Sequence, residues 1–154
     1  GKASFPSFYT MFIGEYPTQI GEKNRISLPK KLRDKMEGGL IIARGYENCL
    51  LMLDNKSWEN LVSEINKRPL LSLNVRDTKR YILGGATELE LDNQGRFVLP
   101  EPLKGFAGLN KTVIFLGVGE WIEIWDFEKW ESKLKKLSLE VTDIADRLSN
   151  KGEL

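Results

Sequence analysis

The chain of 154 residues is about one domain in length, at roughly 100–200 residues per domain, and it carries 23 Lys and Arg, 22 Asp and Glu, one cysteine and no histidine. Without histidine it cannot form a Ser-His-Asp or Cys-His pair or a His-ligated metal site, and a single cysteine excludes an internal disulfide and a multi-thiolate metal site. We therefore predict a protein of a reducing compartment with no cofactor and no metal, and we disfavour an enzyme, although carboxylate or lysine chemistry stays open.

The first ten residues, GKASFPSFYT, lack the basic and apolar regions of a secretion signal. We expect Met11 to lie near the natural start and part of this leader, residues 1–10, to be non-native. No apolar run in the chain approaches the roughly 18–20 residues that a membrane helix needs. The sequence thus predicts a soluble, cytoplasmic protein with no membrane partner.

After the leader the sequence repeats itself. Residues 20–29, IGEKNRISLP, align with residues 91–100, LDNQGRFVLP, at an offset of 71. Residues 53–59, LDNKSWE, align with residues 125–131, WDFEKWE, at an offset of 72. One insertion between the two blocks is what a duplicated module with a variable loop would show. We place the first module at residues 11–80 and the second, with a C-terminal helix, at residues 81–154.

The start of each module predicts a strand, a turn, a second strand and a proline. Residues 87–91 alternate polar and apolar side chains, which is typical of a half-buried strand, and residues 92–95 are turn formers. Arg96 leaves this turn on the second strand. Pro100 or Pro102 suits the first turn of a short helix. In the first module the matching helix is predicted over residues 30–36, after Pro29.

The remainder of each module predicts a hairpin followed by a helix. The hairpins span residues 40–53 and 112–125, each with a glycine-containing turn. Asp54 and Asp126 then occupy positions where helix N-caps are expected. Residues 141–148 are consistent with a further amphipathic turn or two.

The repeated turn, arginine, strand and proline form the most specific feature. An arginine can take the O6 and N7 atoms of guanine together or bind a phosphate with two hydrogen bonds, and a two-stranded ribbon is thin enough to enter a major groove. Asp34 is the only acid in residues 23–35. The polar and basic residues there are Lys23, Asn24, Arg25, Lys30, Lys31, Arg33 and Lys35. The alternative interpretation is an exposed turn residue beside the solvated face of a short helix.

Charge divides between the two modules. Residues 11–80 hold 13 basic and 9 acidic side chains, a net charge of +4, whereas residues 81–154 hold 9 basic and 13 acidic ones, a net charge of −4. Such asymmetry can mark a nucleic-acid face or a charge-complementary contact between copies of the chain. It is also compatible with ordinary variation on a soluble surface.

Together these features resemble the MraZ family of bacterial transcriptional regulators, which carries an Asp-x-x-x-Arg motif in each half. The resemblance runs from Met11 to about Asn150 and includes residues 11–14 (MFIG), 48–50 (NCL), 77–80 (DTKR) and 123–126 (EIWD). The second copy matches the motif as DNQGR, Asp92 to Arg96. The first copy reads GEKNR, with Gly21 in place of the aspartate and Asn24 in place of the glycine. Because asparagine tolerates the left-handed conformation, we expect this turn to survive, but without a carboxylate to steady Arg25.

The resemblance implies a β-rich α+β fold, in which two tandem AbrB-like modules form a double-split, swapped-hairpin β-barrel with short flanking helices. It implies a nucleoid-associated DNA-binding regulator of the division and cell-wall gene cluster, which binds short G-rich direct repeats in its own promoter as a ring of about eight subunits. The expected DNA contacts are Lys23, Asn24, Arg25, Lys30, Lys31, Arg33 and Arg96. The residues expected to shape the motif are Asp92, Gly95, Pro29 and Pro100.

Two other classes of function stay open. A non-catalytic protein-interaction ring would use the basic cluster on a neighbouring subunit or an acidic partner. A carboxylate-based enzyme would use Asp54, Glu59, Asp126 and Glu131 as paired acid–base groups, but their positions at helix starts favour capping. Cys49 lies in an apolar run and is expected to be a small buried hydrophobe.

Overall fold

The computed structural model describes residues 11–152, so the predicted leader lies outside the described residues. The strands are β1 (Phe12–Gln19), β2 (Arg25–Ser27), β3 (Leu40–Arg44), β4 (Leu50–Asp54), β5 (Thr87–Leu89), β6 (Arg96–Val98), β7 (Thr112–Gly119) and β8 (Ile122–Asp126). The helices are α1 (Lys30–Arg33), α2 (Asn55–Asn66), α3 (Leu73–Ile82), α4 (Glu101–Phe106) and α5 (Phe127–Asn150). A 3-10 turn over Glu22–Asn24 precedes β2.

The order of these elements repeats as the sequence does. The series β2, α1, β3, β4 and α2 of the first copy returns as β6, α4, β7, β8 and α5 of the second. The prediction of residues 30–36 as a helix was too long, because α1 ends at Arg33. The architecture is β-rich α+β, as expected.

The two copies exchange strands instead of folding separately. A six-stranded antiparallel sheet has the order β1-β7-β8-β4-β3-β5, so β1 of the first copy pairs with β7 of the second, and β5 pairs with β3. The strands β2 and β6, one from each copy, pair with each other as a separate ribbon. The repeat predicted a strand before the first turn, but not the length of β1, Phe12–Gln19. It contains Pro17, which a sheet tolerates at an edge, and β1 is an edge strand.

One core serves both copies. Ile26 and Phe97 from the ribbon are buried together with Phe12 and Phe115 from the sheet. The rings of Phe97 and Phe115 meet edge to face with their centroids 6.4 Å apart, a favourable arrangement for aromatic pairs. This shared packing fixes the ribbon against the sheet.

The copies differ after their first long helix. In the first copy, α2 ends at Asn66, Pro69 follows, and α3 begins at Leu73. Proline lacks the N–H that a helix needs and disfavours helical backbone in the residue before it. Val141 stands at the equivalent position of the second copy, and there α5 continues without a break to Asn150. Residues 141–148 are therefore the distal part of α5 and not separate turns. The helix α3 of the first copy was not predicted from the sequence.

Both predicted helix caps are present. An oxygen of Asp54 accepts the backbone N–H of Ser57 at 2.9 Å, and an oxygen of Asp126 accepts that of Lys129 at 3.3 Å. The second oxygen of Asp54 accepts a bond from Glu37 N–H. These buried carboxylates thus stabilise helix starts. Within residues 11–152, no helix is both long and apolar enough to span a bilayer.

Candidate nucleic-acid interface

The two motif arginines lie on one face of the ribbon formed by β2 and β6, which we call the arginine ribbon. Arg25 pairs with Val98 and Ser27 pairs with Arg96, on either side of the central pair Ile26 and Phe97. Because side chains alternate along a strand, the central pair points inward and the other four side chains share the outward face. Ile26 and Phe97 are buried, whereas Arg25, Ser27 and Val98 are exposed. The ribbon therefore presents one arginine from each copy.

The two turns that lead into the ribbon are closed by the same backbone hydrogen bond. The N–H of Gly21 donates to the carbonyl of Arg25 at 2.7 Å, and that of Asp92 donates to the carbonyl of Arg96 at 2.8 Å. Asn24 has φ +60° and Gly95 has φ +77°, both in the left-handed region. The expectation that asparagine preserves the first turn is thus confirmed. Lys23 shares this conformation, with φ +56°.

Each turn is bonded to the strand of the other copy. The Leu99 N–H donates to the carbonyl of Asn24 at 2.9 Å, and the Leu28 N–H donates to the carbonyl of Gly95 at 3.0 Å. These reciprocal bonds extend the pairing at both ends of the short ribbon. They hold the two arginines at a fixed separation even though β2 and β6 have only three residues each.

The carboxylate of Asp92 holds Arg96 and its turn. One oxygen accepts the backbone N–H groups of Gln94 at 2.8 Å and Arg96 at 2.9 Å, and the other accepts Nε of Arg96 at 2.9 Å. These bonds, first the one from the Arg96 backbone, hold the pKa of Asp92 below its ordinary value. The terminal nitrogens of Arg96 make no hydrogen bond to any described residue, so its outer edge is available to a ligand.

Arg25 has no equivalent support. Gly21 takes the place of the carboxylate, and the Arg25 side chain is exposed without a hydrogen bond or ion pair to any residue in the described range 11–152. All of its donors are available. The two copies therefore present one clamped arginine and one unrestrained arginine on the same face.

Two of the residues predicted to contact DNA also bridge the two copies. Asn24 Nδ2 donates to the carboxylate of Glu101 at 2.7 Å, and its Oδ1 accepts Nζ of Lys104 at 2.9 Å. Arg33 lies directly over Gly95, where a Cβ atom would collide with the guanidinium, and donates to the carbonyl of Leu28 at 3.5 Å. These contacts give both side chains a structural role within the fold.

The lysines around Arg25 differ in whether they have a bonding partner. Lys30 pairs with Asp34 at 2.6 Å, an exposed pair that contributes little to stability. Lys23 and Lys31 are exposed and have no hydrogen-bonding partner among the described residues. The ammonium groups of these two lysines are therefore available to a phosphate.

The motif prolines, Pro29 and Pro100, lie directly before the helices α1 and α4. Pro29 directly precedes α1, and its carbonyl accepts the N–H of Arg33 at 2.8 Å. Pro100 directly precedes α4, and its carbonyl accepts the N–H of Lys104 at 3.0 Å. A fixed proline φ suits the entry to a helix. That both prolines shape the motif stays a prediction.

Val98 is an outward-facing residue that the sequence interpretation missed. Its side chain is 55% exposed on the ribbon and lies opposite Arg25. An apolar side chain in such a position can contact the methyl group of thymine. The signal was available, because Val98 follows Arg96 by two residues on a strand and so shares its face.

Comparison with known proteins agrees with this repeat. A family model described as "MraZ protein, putative antitoxin-like" matches residues 11–81 and again residues 82–151. Proteins named "Transcriptional regulator MraZ" from Alkaliphilus metalliredigens, Clostridium tetani and Herpetosiphon aurantiacus are 38%, 36% and 34% identical over 142 residues. Each alignment covers 92% of this chain and 99% of the relative. These names describe regulators and not enzymes, in agreement with the non-enzymatic assignment made from composition.

One solved structure overlaps this chain only loosely. The solution structure of PHS018 from Pyrococcus horikoshii overlaps 71% of this chain and 94% of its own, with 14% identity and a TM-score of 0.33. That overlap is too loose to support an argument. The sequence relationship is sufficient: the chain belongs to the MraZ family.

Proposed function

We propose that the chain is a sequence-specific DNA-binding transcriptional regulator and that the outward face of the arginine ribbon reads the DNA. The observation that carries this proposal is the placement of Arg25 and Arg96 on one exposed face of a two-stranded ribbon. The two pairs that contain them are two residues apart, roughly 7 Å along the strands, which corresponds to about two base-pair steps. A ribbon of this width can enter a major groove.

Base and phosphate contacts divide between different side chains. The free terminal nitrogens of Arg96 and the unrestrained guanidinium of Arg25 suit the O6 and N7 atoms of guanine. The exposed ammonium groups of Lys23 and Lys31 suit phosphates on either side. We infer that the operator consists of short G-rich direct repeats in the chain's own promoter, within the division and cell-wall gene cluster. The protein would then act on chromosomal DNA in the nucleoid.

Several subunits acting together would compensate for the small contact that one ribbon makes. We infer a ring of about eight subunits, in which repeated sites on one duplex engage several ribbons at high effective concentration. We also infer that the exchanged strands and the ribbon form the swapped-hairpin barrel of AbrB-like proteins. The pairing of β1 with β7 and of β2 with β6 supports that inference.

The experiment measures binding to a duplex from the upstream region and to a scrambled duplex, over a series of salt concentrations. Arg25→Ala should reduce the preference for the promoter by about 1–3 kcal/mol, because a base contact is lost. Lys31→Ala should weaken binding to both duplexes and lower the slope of log K against log salt by about one unit. Lys56→Ala, an exposed lysine on α2 away from the ribbon, is the matched control and should change neither quantity.

A second candidate function is a non-catalytic ring that binds another subunit or an acidic protein through the same basic side chains. The opposite net charges of residues 11–80 and 81–154 favour it. Equal binding of the promoter and scrambled duplexes, with neither substitution weakening it, would favour this second function. Footprinting of the upstream region would then show no protected repeat.

A further inference from the structure

The arginine ribbon has an approximate two-fold axis perpendicular to its face. The axis passes through the central pair, Ile26 and Phe97, and exchanges β2 with β6. The backbone hydrogen bonds follow this symmetry. Those that close the two turns measure 2.7 and 2.8 Å, and those that extend the ribbon at its two ends measure 3.0 and 2.9 Å. Half a turn about the axis therefore brings Arg25 onto the position of Arg96.

This symmetric framework does not by itself give the ribbon a direction on DNA. A ring repeats every ribbon in the same sense, so direct repeats on one duplex require every ribbon to lie in the same orientation. A ribbon rotated by half a turn again presents an arginine at each end. The phosphate contacts proposed for Lys23 and Lys31 do not decide between the two orientations, because phosphates carry no sequence information. The orientation must therefore be set by outward-facing side chains that differ between the two ends and contact bases.

Ser27 and Val98 are the outward-facing pair that breaks the symmetry. They occupy equivalent positions in the two copies, and both are exposed. Val98 lies opposite Arg25, whereas Ser27 lies opposite Arg96. An apolar side chain contacts the methyl group of thymine, whereas a serine hydroxyl bonds to donors and acceptors alike and discriminates little between bases. Of the two ends, the one with Arg25 and Val98 therefore suits a guanine with a thymine beside it.

We propose that Val98 and Ser27 set the direction in which the chain lies on its operator. The end with Arg25 takes a guanine and the adjacent thymine, and the end with Arg96 takes a guanine alone. This inference rests on the proposed function and adds to it the two residues that decide the orientation of each repeat.

A small preference at each ribbon is sufficient to orient the assembly. One thymine methyl group buried against Val98 favours the correct orientation by about fourfold, which is the effect of burying one methyl group. Ribbons on separate repeats contribute independently, so their preferences multiply. Two engaged ribbons thus favour the common orientation by about sixteenfold.

The first experiment removes the methyl group without changing the base pairing. Single thymines in a one-repeat duplex from the upstream region are replaced in turn by uracil, which lacks only the methyl group. At one position the replacement should weaken binding of the unsubstituted chain by about fourfold. The same replacement should not change the affinity of Val98→Ser, because that variant has no apolar side chain to contact the methyl group.

The second experiment measures the orientation directly on the same duplex. An iron chelate that cleaves DNA is attached to a new cysteine, Glu22→Cys in one chain and Asn93→Cys in another. These positions are equivalent in the two turns, and both are exposed. Cys49 is completely buried and stays unlabelled. Each label should cleave mainly on one side of the repeat, by about four to one, and the two labels should cleave on opposite sides.

Substitutions on the outward face should change this pattern. Ser27→Val makes the two ends alike and should equalise cleavage on the two sides. Ser27→Val combined with Val98→Ser should reverse the sides. Gly21→Asp is the matched control, because it gives the first turn the aspartate of the second and leaves the outward pair unchanged, so it should keep the original ratio. Circular dichroism checks that each variant is folded, and Ser27→Val alone decides the outcome if Val98→Ser does not fold.

Several results would overturn the proposal. They are uracil that weakens binding at no position, uracil that weakens the unsubstituted chain and Val98→Ser equally, and one-sided cleavage that survives Ser27→Val. Equal cleavage in Gly21→Asp would assign the orientation to the two unequal arginines instead. A chain with no preference for the promoter over a scrambled duplex would refute the proposed function and this inference together. Promoter preference with equal cleavage on both sides would support the regulator and refute the orientation.

Discussion

Arg25 and Arg96 occupy opposite ends of one face of a two-stranded ribbon, and within residues 11–152 only Arg96 is bonded to a carboxylate. The difference comes from the residue four positions before each arginine. Asp92 bonds Arg96, whereas Gly21, the counterpart of Asp92 in the first copy, has no side chain. A clamped arginine loses little conformational freedom when it binds, whereas a free one can adapt to a base or a phosphate. The two copies therefore contribute unequal arginines to one surface.

Gly21→Asp should create the missing clamp. Gly21 has φ −88° and ψ −169°, an extended conformation that aspartate adopts readily. We expect the new carboxylate to accept bonds from the Arg25 backbone and guanidinium, raising the melting temperature and slowing exchange of the Arg25 Nε proton. Asp92→Asn should have the opposite effects on Arg96. NMR of the arginine side chains measures both, and an unchanged Arg25 signal in Gly21→Asp would contradict the expectation.

The contribution of Asp92 to stability should depend on pH in one direction. The pKa of Asp92 is lowered in the folded chain, so folding favours the carboxylate. Its stabilising effect is then complete above the ordinary carboxyl pKa of about 4 and is lost as the pH falls through the lowered folded value. The difference in melting temperature between the unsubstituted chain and Asp92→Asn should stay constant from about pH 8 to pH 5 and shrink below about pH 4. A difference that grew on acidification would refute this assignment.

Gly95→Ala should destabilise the chain by about 1–2 kcal/mol or more, because alanine is strained at a positive φ. Gly95 has φ +77°, and its Cβ would also displace the Arg33 guanidinium. Gly105→Ala is the control, since Gly105 lies in α4 with open space around it. That substitution should stabilise the chain by up to about 1 kcal/mol through helix propensity. Urea unfolding of both variants measures the contrast, and equal effects would contradict it.

Cys49 should react slowly with thiol reagents in the folded chain. Its side chain is completely buried, and burial raises the pKa of the thiol far above its ordinary value, with the nearby Glu123 adding to the effect. A buried, protonated thiol is a poor nucleophile. Labelling by an aromatic disulfide should therefore follow the rate of unfolding and accelerate in denaturant. Rapid labelling in buffer would show that the site opens locally.

The helix caps and the repeat were predictable from the sequence because they depend on near neighbours. Asp54 and Asp126 bond to N–H groups three residues ahead, and their side-chain chemistry alone indicates a helix start. Cys49 was predicted as a buried hydrophobe, and it is completely buried. The left-handed Asn24 likewise follows from the tolerance of asparagine for that conformation.

The roles of Asn24 and Arg33 required the tertiary structure. The side chain of Asn24 bonds to Glu101 and Lys104, which lie 77 and 80 residues away along the chain, and its predicted DNA contact stays a prediction. Arg33 lies over Gly95, which the sequence places in the other copy. Such contacts depend on which strands pair across the two copies, and the free energy of that pairing comes from burial shared by distant segments.

The sequence by itself determined the duplication, the turns, the caps and the identity of the two arginines, because each depends on short-range backbone preferences. Only the tertiary structure decided that β2 and β6 pair with each other. This pairing places Arg25 and Arg96 on one face. The physical reason is the common core. Burying Ile26 and Phe97 between the copies turns both strands the same way, and their alternation then points both arginines outward.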